Sequence, residues 1–318
     1  MRCLKSSSKN RIVSRPNQIL KLKCVTVLRI RSTKALDFSS VATRTVLDRD
    51  GGMTRVSAYD ALAPSFDRDR TLPEGVTEAI RAAIFDSIDA ASRPRLLDLG
   101  AGTGRIGWPF VAAGDDYVGV DLSYGMLRAF MQRGGWTNGH TPHLVQSDGE
   151  LLPFRDATFD AAMLIQVFGG VRGWRRLLAE AERVVRPAGA LVIGRSVAPA
   201  DGVDAKMKQR LAALLGAIGA PSYQTNPRDD VQRFLERQAH SVTRVVAAAW
   251  NAERTPRGFI DRHRTGARFS SLPPPVQEEA LRELSAWAAA TFGSLDAAAS
   301  ERHVFEFRVF KFRQGVDR

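Results

Sequence analysis

The chain has 318 residues, 44% hydrophobic and 25% charged, with a formal net charge of +12 and two cysteines. Such an apolar fraction suits an ordinary globular protein, and no apolar run approaches the length needed to cross a bilayer. Cys3 and Cys24 both lie near the N-terminus, which excludes a disulfide framework or a thiolate metal cluster in the rest of the chain.

The basic surplus is concentrated at one end. Up to Lys34 there are ten basic residues and no acidic one, and through Gly52 the balance is 12 to 3. Residues 1–52 therefore read as a basic tail, disordered or outside the native protein. Three readings of it stay open: translation starting at Met53, a presequence directing the chain to an organelle, or a basic arm for an anionic surface. Residues 53–318 read as one domain, expected in the cytoplasm.

Residues 56–90 are expected to form lid helices. Ser57–Leu62 is a short amphipathic piece. Thr71-Leu72-Pro73-Glu74 reads as an N-cap followed by proline, and Val76, Ile80, Ile84 and Ile88 recur on one helical face. After Pro94, apolar runs at 95–99, 117–121, 143–146, 159–166 and 189–195 predict strands, with helices at 105–113, 124–133 and 172–185 between them. That alternation predicts βαβ units and a parallel sheet covered on both faces. Helices at 203–219 and 228–239, a strand at Val242–Trp250 and a helix at Val276–Phe292 follow. Val304–Phe312 then alternates almost strictly, as a strand does.

The segment Leu96-Leu97-Asp98-Leu99-Gly100-Ala101-Gly102-Thr103-Gly104 carries the most information. It reads as a buried strand entering a glycine-rich turn that opens a helix, where a ligand can approach bare backbone and free N–H groups. Gly102-x-Gly104-x-x-Gly107 also satisfies a dinucleotide fingerprint, so the glycines alone leave NAD open. A carboxylate at Asp98 would repel a pyrophosphate and suits a ligand bearing an ammonium group. Asp121, about 20 residues on, suits a ribose diol and marks a nucleoside of either kind. The bland alternatives are a tight turn at the glycines, a helix cap at Asp121 and a turn residue at Asp148.

Together with Asp121-Leu122-Ser123, Met126-Leu127, Ser147-Asp148-Gly149 through Phe154, and Arg183 through Gly189, this order resembles the class I S-adenosylmethionine-dependent methyltransferases of the type 11 group. The likeness is close over residues 94–196 and looser over Tyr59-Asp60 and Phe66-Asp67. It implies an α/β, Rossmann-like seven-stranded, mostly parallel sheet with an antiparallel C-terminal strand at 304–312. Helical insertions and a sixth strand over 199–303 would add a helical cap. It further implies S-adenosyl-L-methionine as cofactor. Gly100, Gly102, Thr103 and Gly104 would cradle the methionine end, with Asp98 near its ammonium. Asp121 would hold the ribose, Leu122 and Met126 would pack near the adenine, and Asp148 and Gly149 would meet the adenine edge. Gln166 would lie beneath the methyl-transfer point, and Tyr59 would close from the lid. Gly149 departs from the family's usual alanine.

The segment Ile165-Gln166-Val167-Phe168 lacks the Asn/Asp-Pro-Pro-Tyr/Phe signature of base and glutamine methylation, and residues 53–318 lack cysteine and a basic aromatic stripe. The resemblance therefore points to a small-molecule acceptor methylated on O, N or C, with no nucleic acid expected for the body. The alternatives are a quinone- or lipid-precursor acceptor, or a non-catalytic cofactor-binding domain. Phe259, Phe269, Trp250 and Trp287 are candidate pocket walls. No catalytic base is singled out among His140, His143, His240, His263 and His303, no metal is expected, and oligomeric state is not legible.

Overall fold

The computed structural model describes residues 27–29, 59–60, 63–64, 66–68, 70–88, 93–134, 141–169, 171, 173–219, 227–264 and 266–312. In chain order the elements are β1 (Val27–Arg29), α1 (Val76–Ser87), β2 (Leu96–Leu99), α2 (Trp108–Ala112), β3 (Tyr117–Asp121) and α3 (Tyr124–Gln132). Then come β4 (His143–Gln146), β5 (Phe159–Ile165), α4 (Trp174–Val184), β6 (Val185–Val197), α5 (Val203–Ala217) and α6 (Arg228–Gln238). The chain closes with β7 (Ser241–Arg254), α7 (Pro256–Arg264), α8 (Ala267–Ser270), α9 (Pro274–Phe292) and β8 (Ala299–Lys311).

The strands form one sheet in the order β1-β4-β3-β2-β5-β6-β8-β7. β2 to β6 pair in parallel, and β8 inserts antiparallel between β6 and β7. The seven expected strands are thus present, mostly parallel. A three-residue stretch of the basic tail, Val27–Arg29, adds a parallel edge beside β4; the rest of residues 1–52 lies outside the described residues. Strand order reverses between β2 and β5, and a crevice outside the carboxyl ends of the strands at such a point is where open α/β sheets bind ligands.

Each face of the sheet has its own core, because fully buried parallel strands send alternate side chains to opposite sides. On one face Ile80, Ile84, Phe110, Tyr117 and Phe130 pack with Phe305 and Phe307. On the other Leu177, Leu178 and Leu235 pack with Leu97, Leu164 and Phe310. A third cluster is purely helical: Met207, Leu211 and Leu215 of α5 meet Phe259, Phe269 and Leu284. This is the expected cap. It stands at the carboxyl end of the sheet, because α5 follows β6 and α7 to α9 join the end of β7 to the start of β8.

The lid differs from expectation. Among the described residues of 59–70 the backbone forms turns, and the following helix begins at Val76, not near Pro73. Gly75 adopts φ 78° and ends the preceding turn, so Thr71 is left to donate its hydroxyl to the Asp67 carbonyl at 2.9 Å. The last two strands also run longer than the sequence suggests, 14 and 13 residues, because they continue past the sheet to carry the cap.

Candidate cofactor and acceptor site

β2 ends at Leu99, and the chain reaches α2 through Gly100, Gly102 and Gly104, at φ 84°, 55° and 76°. The N–H groups of Gly100 and Ala101 donate to the Val120 carbonyl at 2.8 and 3.0 Å, which fixes the turn against the end of β3. A Cβ on Gly104 would stand 2.1 Å from the Phe130 ring, so the turn is tightly packed below. At Gly102 the nearest atom to such a Cβ would be the Gly100 carbonyl at 3.8 Å. That outer surface is open, and a ligand can lie directly on the backbone there.

Asp121 closes the same turn from the next strand. Its Oδ2 accepts from the Gly102 N–H at 2.9 Å and its Oδ1 from the Ser123 N–H at 2.8 Å. The helix cap is Ser123, whose Oγ accepts from Met126 N–H at 3.2 Å, so Asp121 is not the N-cap of α3. Burial pushes the Asp121 carboxyl above the usual range, while these N–H groups pull it down. A carboxylate has about four lone-pair sites, so capacity is left for a diol. Leu122 is 41% exposed beside it, and Met126 is buried.

The other expected residues fall into three settings. Asp98 is buried with its Oδ2 accepting from the Tyr117 hydroxyl at 2.6 Å, and desolvation pushes its pKa up to about 7. Its carboxylate is therefore held on Tyr117, not exposed at the mouth of the turn. Asp148 accepts from the Glu150 N–H at 3.0 Å in the turn after β4. An alanine Cβ at Gly149 would come within 2.6 Å of Leu177 Cδ1, the end of a side chain that would have to shift to admit it. Gln166 ends β5 at φ 59°, a left-handed conformation uncommon outside glycine. Its Nε2 donates to Ser196 Oγ at 3.1 Å and its Oε1 accepts from Arg105, whose pKa burial lowers to about 10.

The lid is anchored by residues to which the sequence assigned no role. Asp60 Oδ1 accepts from Ser123 Oγ at 2.6 Å and from the Gly125 N–H at 2.7 Å, at the start of α3. Asp67 accepts from Thr103 Oγ1 at 2.6 Å and pairs with Arg133, which also donates to the Thr103 carbonyl at 2.6 Å. Thr103 is thereby turned toward the lid. Tyr59 is half-buried next to Phe66, and burial with the nearby Asp121 charge raises its hydroxyl pKa. Arg70 donates to the Arg262 carbonyl of the cap at 3.2 Å and accepts from Arg105 at its own carbonyl at 2.9 Å. The signal for these contacts was present only as acidic residues next to the lid aromatics.

The proposed aromatic walls mostly serve packing. Phe259 and Phe269 are fully buried in the cap core with Trp287 packed against it, and Trp250 stacks on His303 at 5.9 Å. His263 stacks on Phe259 and bonds the Phe259 carbonyl at 3.0 Å, and desolvation lowers its pKa to about 4. His303 is buried against Glu301 at 3.3 Å, and His143 and His240 are exposed. His140 lies outside the described residues. Among the described residues no group of three or more His, Cys, Asp or Glu could hold a metal ion, and no helix is long and apolar enough to cross a membrane.

A family model described as a methyltransferase domain matches residues 97–193. The chain is 31% identical over 219 residues to a demethylmenaquinone methyltransferase of Thermobifida fusca, covering 65% of this chain and 90% of that protein. The chain belongs to the S-adenosylmethionine-dependent methyltransferases. A demethylmenaquinone methyltransferase of Renibacterium salmoninarum is 33% identical over 147 residues, 45% of this chain and 59% of that protein. A solved structure, the YcgJ protein from Bacillus subtilis, is 20% identical with a TM-score of 0.49, over 75% of this chain and 99% of that one. S-adenosylmethionine is accordingly the cofactor of this methyltransferase. The open backbone over Gly102, with the Asp121 carboxylate tied into the same turn, fits that group.

Proposed function

We propose that this methyltransferase acts on an O, N or C atom of a small-molecule acceptor held over the carboxyl ends of β5 and β6. The observation that carries this reading is the joint placement of Gly102 and Asp121. A bare backbone surface and a diol-binding carboxylate meet at the carboxyl ends of β2 and β3, beside the point where the strand order reverses. In this reading the 100–104 turn receives the methionine end, with the Asp98 carboxylate beneath it. Asp121 holds the ribose hydroxyls, Leu122 and Met126 flank the adenine, and Asp148 and Gly149 meet its edge. Gln166, fixed between Arg105 and Ser196, stands under the transfer point.

Bound there, S-adenosylmethionine supplies a methyl group activated by its sulfonium. The protein's part is to align the acceptor and exclude water. Asp60 and Asp67 hold the lid down on α3 and on Thr103, which keeps Tyr59 over the site. Location in the cytoplasm goes with this reading. A quinone precursor as acceptor is a second reading, favoured by the name of the Thermobifida fusca relative, a demethylmenaquinone methyltransferase.

Isothermal titration of the full chain with S-adenosylmethionine, S-adenosylhomocysteine and NADH tests the cofactor assignment. Binding of both sulfur compounds without NADH is the expected result. NADH binding alone would overturn it.

A further inference from the structure

Arg105 is the first residue after Gly104, and its side chain runs from the glycine turn to the end of β5. Its Nη1 donates to the Arg70 carbonyl of the lid at 2.9 Å, and its Nη2 donates to Gln166 Oε1. The guanidinium therefore lies between the turn, the lid and β5, at the point where the strand order reverses. Burial lowers its pKa to about 10, while part of the residue still meets solvent. At neutral pH it remains a cation.

This cation stands without a counter-ion. A guanidinium carries five N–H donors, and the two acceptors it meets here are both neutral. Among the described residues no carboxylate forms an ion pair with Arg105. The carboxylates around the turn are engaged elsewhere. Asp67, whose charge favours the cation, accepts from Thr103 and pairs with Arg133. Asp98 holds the Tyr117 hydroxyl, and Asp121 holds the N–H groups of Gly102 and Ser123. Arg70 and Arg133 add like charge nearby, which disfavours the Arg105 cation further. A strut to two neutral oxygens needs donors and not a charge. A desolvated charge is costly unless it is paired, and an anion arriving with a ligand would relieve it.

In S-adenosylmethionine the adenine and ribose are neutral, and the sulfonium and ammonium are cations. The methionine carboxylate is its one anion. The open surface over Gly102, which receives the methionine end in the reading above, belongs to the same turn as Arg105. We infer that Arg105 receives the methionine carboxylate of the cofactor and makes this chain select ligands that carry it. The inference rests on the methyltransferase reading and adds the residue that reads the amino-acid end. A guanidinium fork gives a carboxylate two parallel hydrogen bonds, which no neutral group accepts in the same way.

Isothermal titration of the full chain compares S-adenosylhomocysteine with its decarboxylated form, which keeps the adenosine, the sulfur and the ammonium. The parent should bind the intact compound about tenfold more tightly, since a charge-assisted pair goes with the carboxylate. Arg105→Gln should weaken S-adenosylhomocysteine by about the same factor and leave the decarboxylated compound unchanged. Arg105→Lys, a point charge without the fork, should restore part of the preference. Equal loss of both compounds in Arg105→Gln would make Arg105 a structural strut and overturn the inference. So would a preference that survives Arg105→Gln, or a parent that binds the two compounds alike. The parent comparison needs no variant, so it decides even where Arg105→Gln fails to fold. A parent that binds neither compound overturns the cofactor assignment itself.

Discussion

The two ends of the sheet are built in different ways. On the cofactor side, the glycine turn, Asp121, Asp148 and Gln166 sit within a few positions of a parallel strand's carboxyl end. Asp121 and Gly102, 19 residues apart, are joined because β2 and β3 are adjacent. Beyond β5 and β6, the contacts come from an antiparallel ribbon. Arg195 and Glu306 meet across 111 residues. Local geometry thus secures the first half, and long-range assembly secures the second. The cap lies on the far side of that division, joined to the sheet at Glu301 of β8, which caps Val203 N–H, and at Asp204, which pairs with Arg254 of β7 at 3.5 Å.

If that division is real, the cap can be loosened without disturbing the cofactor end. Leu284 is fully buried in the helical cluster, so Leu284→Ala should cost about 2–5 kcal/mol of stability, read by urea unfolding. S-adenosylhomocysteine affinity should stay unchanged in the same variant. A parallel loss of affinity would mean that cap and turn are one unit. The converse substitution, Asp121→Ala, should weaken cofactor binding by about 1–3 kcal/mol by calorimetry, through lost hydrogen bonds. Undiminished affinity would remove Asp121 from the site.

The halves should also lean oppositely with pH. Asp98, in the sheet core, has its pKa raised to about 7 by burial. The stability it contributes is full below the ordinary carboxyl range and is lost as pH rises through about 7. His263, in the cap, has its pKa lowered to about 4. Its contribution is full above the ordinary imidazole value near 6.5 and is lost as pH falls through about 4. Melting temperatures between these limits should therefore fall less with rising pH in Asp98→Asn, and less with acidification in His263→Gln. A variant whose profile matches the parent's would show that its group does not titrate in this window.

The same division governs what the sequence disclosed. Strands β2 to β5 and helix α3 lie within a residue of their expected limits, because apolar runs and the Ser123 cap mark them locally. The glycine turn and Asp121 were legible for the same reason. Gln166 was placed correctly at the end of β5, although its left-handed backbone was not foreseen. Asp98 was misjudged in direction, because a strand residue faces whatever lies across the sheet, and here that is the Tyr117 hydroxyl. Arg195, Glu306 and Arg244 carried no local signal at all. Their meaning depends on β8 entering the sheet beside β6, a fact of topology that composition and spacing do not carry.

The insertion of β8 has a further consequence during synthesis. Among the strands of the sheet it is the last to leave the ribosome, yet it occupies an interior position between two older ones. β2 to β6 can pair as they emerge, so the glycine turn has its supports early. β7 emerges with no partner on the sheet and must wait through the whole of α7, α8 and α9 before β8 zips it to β6. Such late, non-local pairing is intrinsically slow and leaves strand edges open meanwhile. A nascent chain of this protein therefore holds the strands that support its glycine turn well before the antiparallel end of its sheet can form.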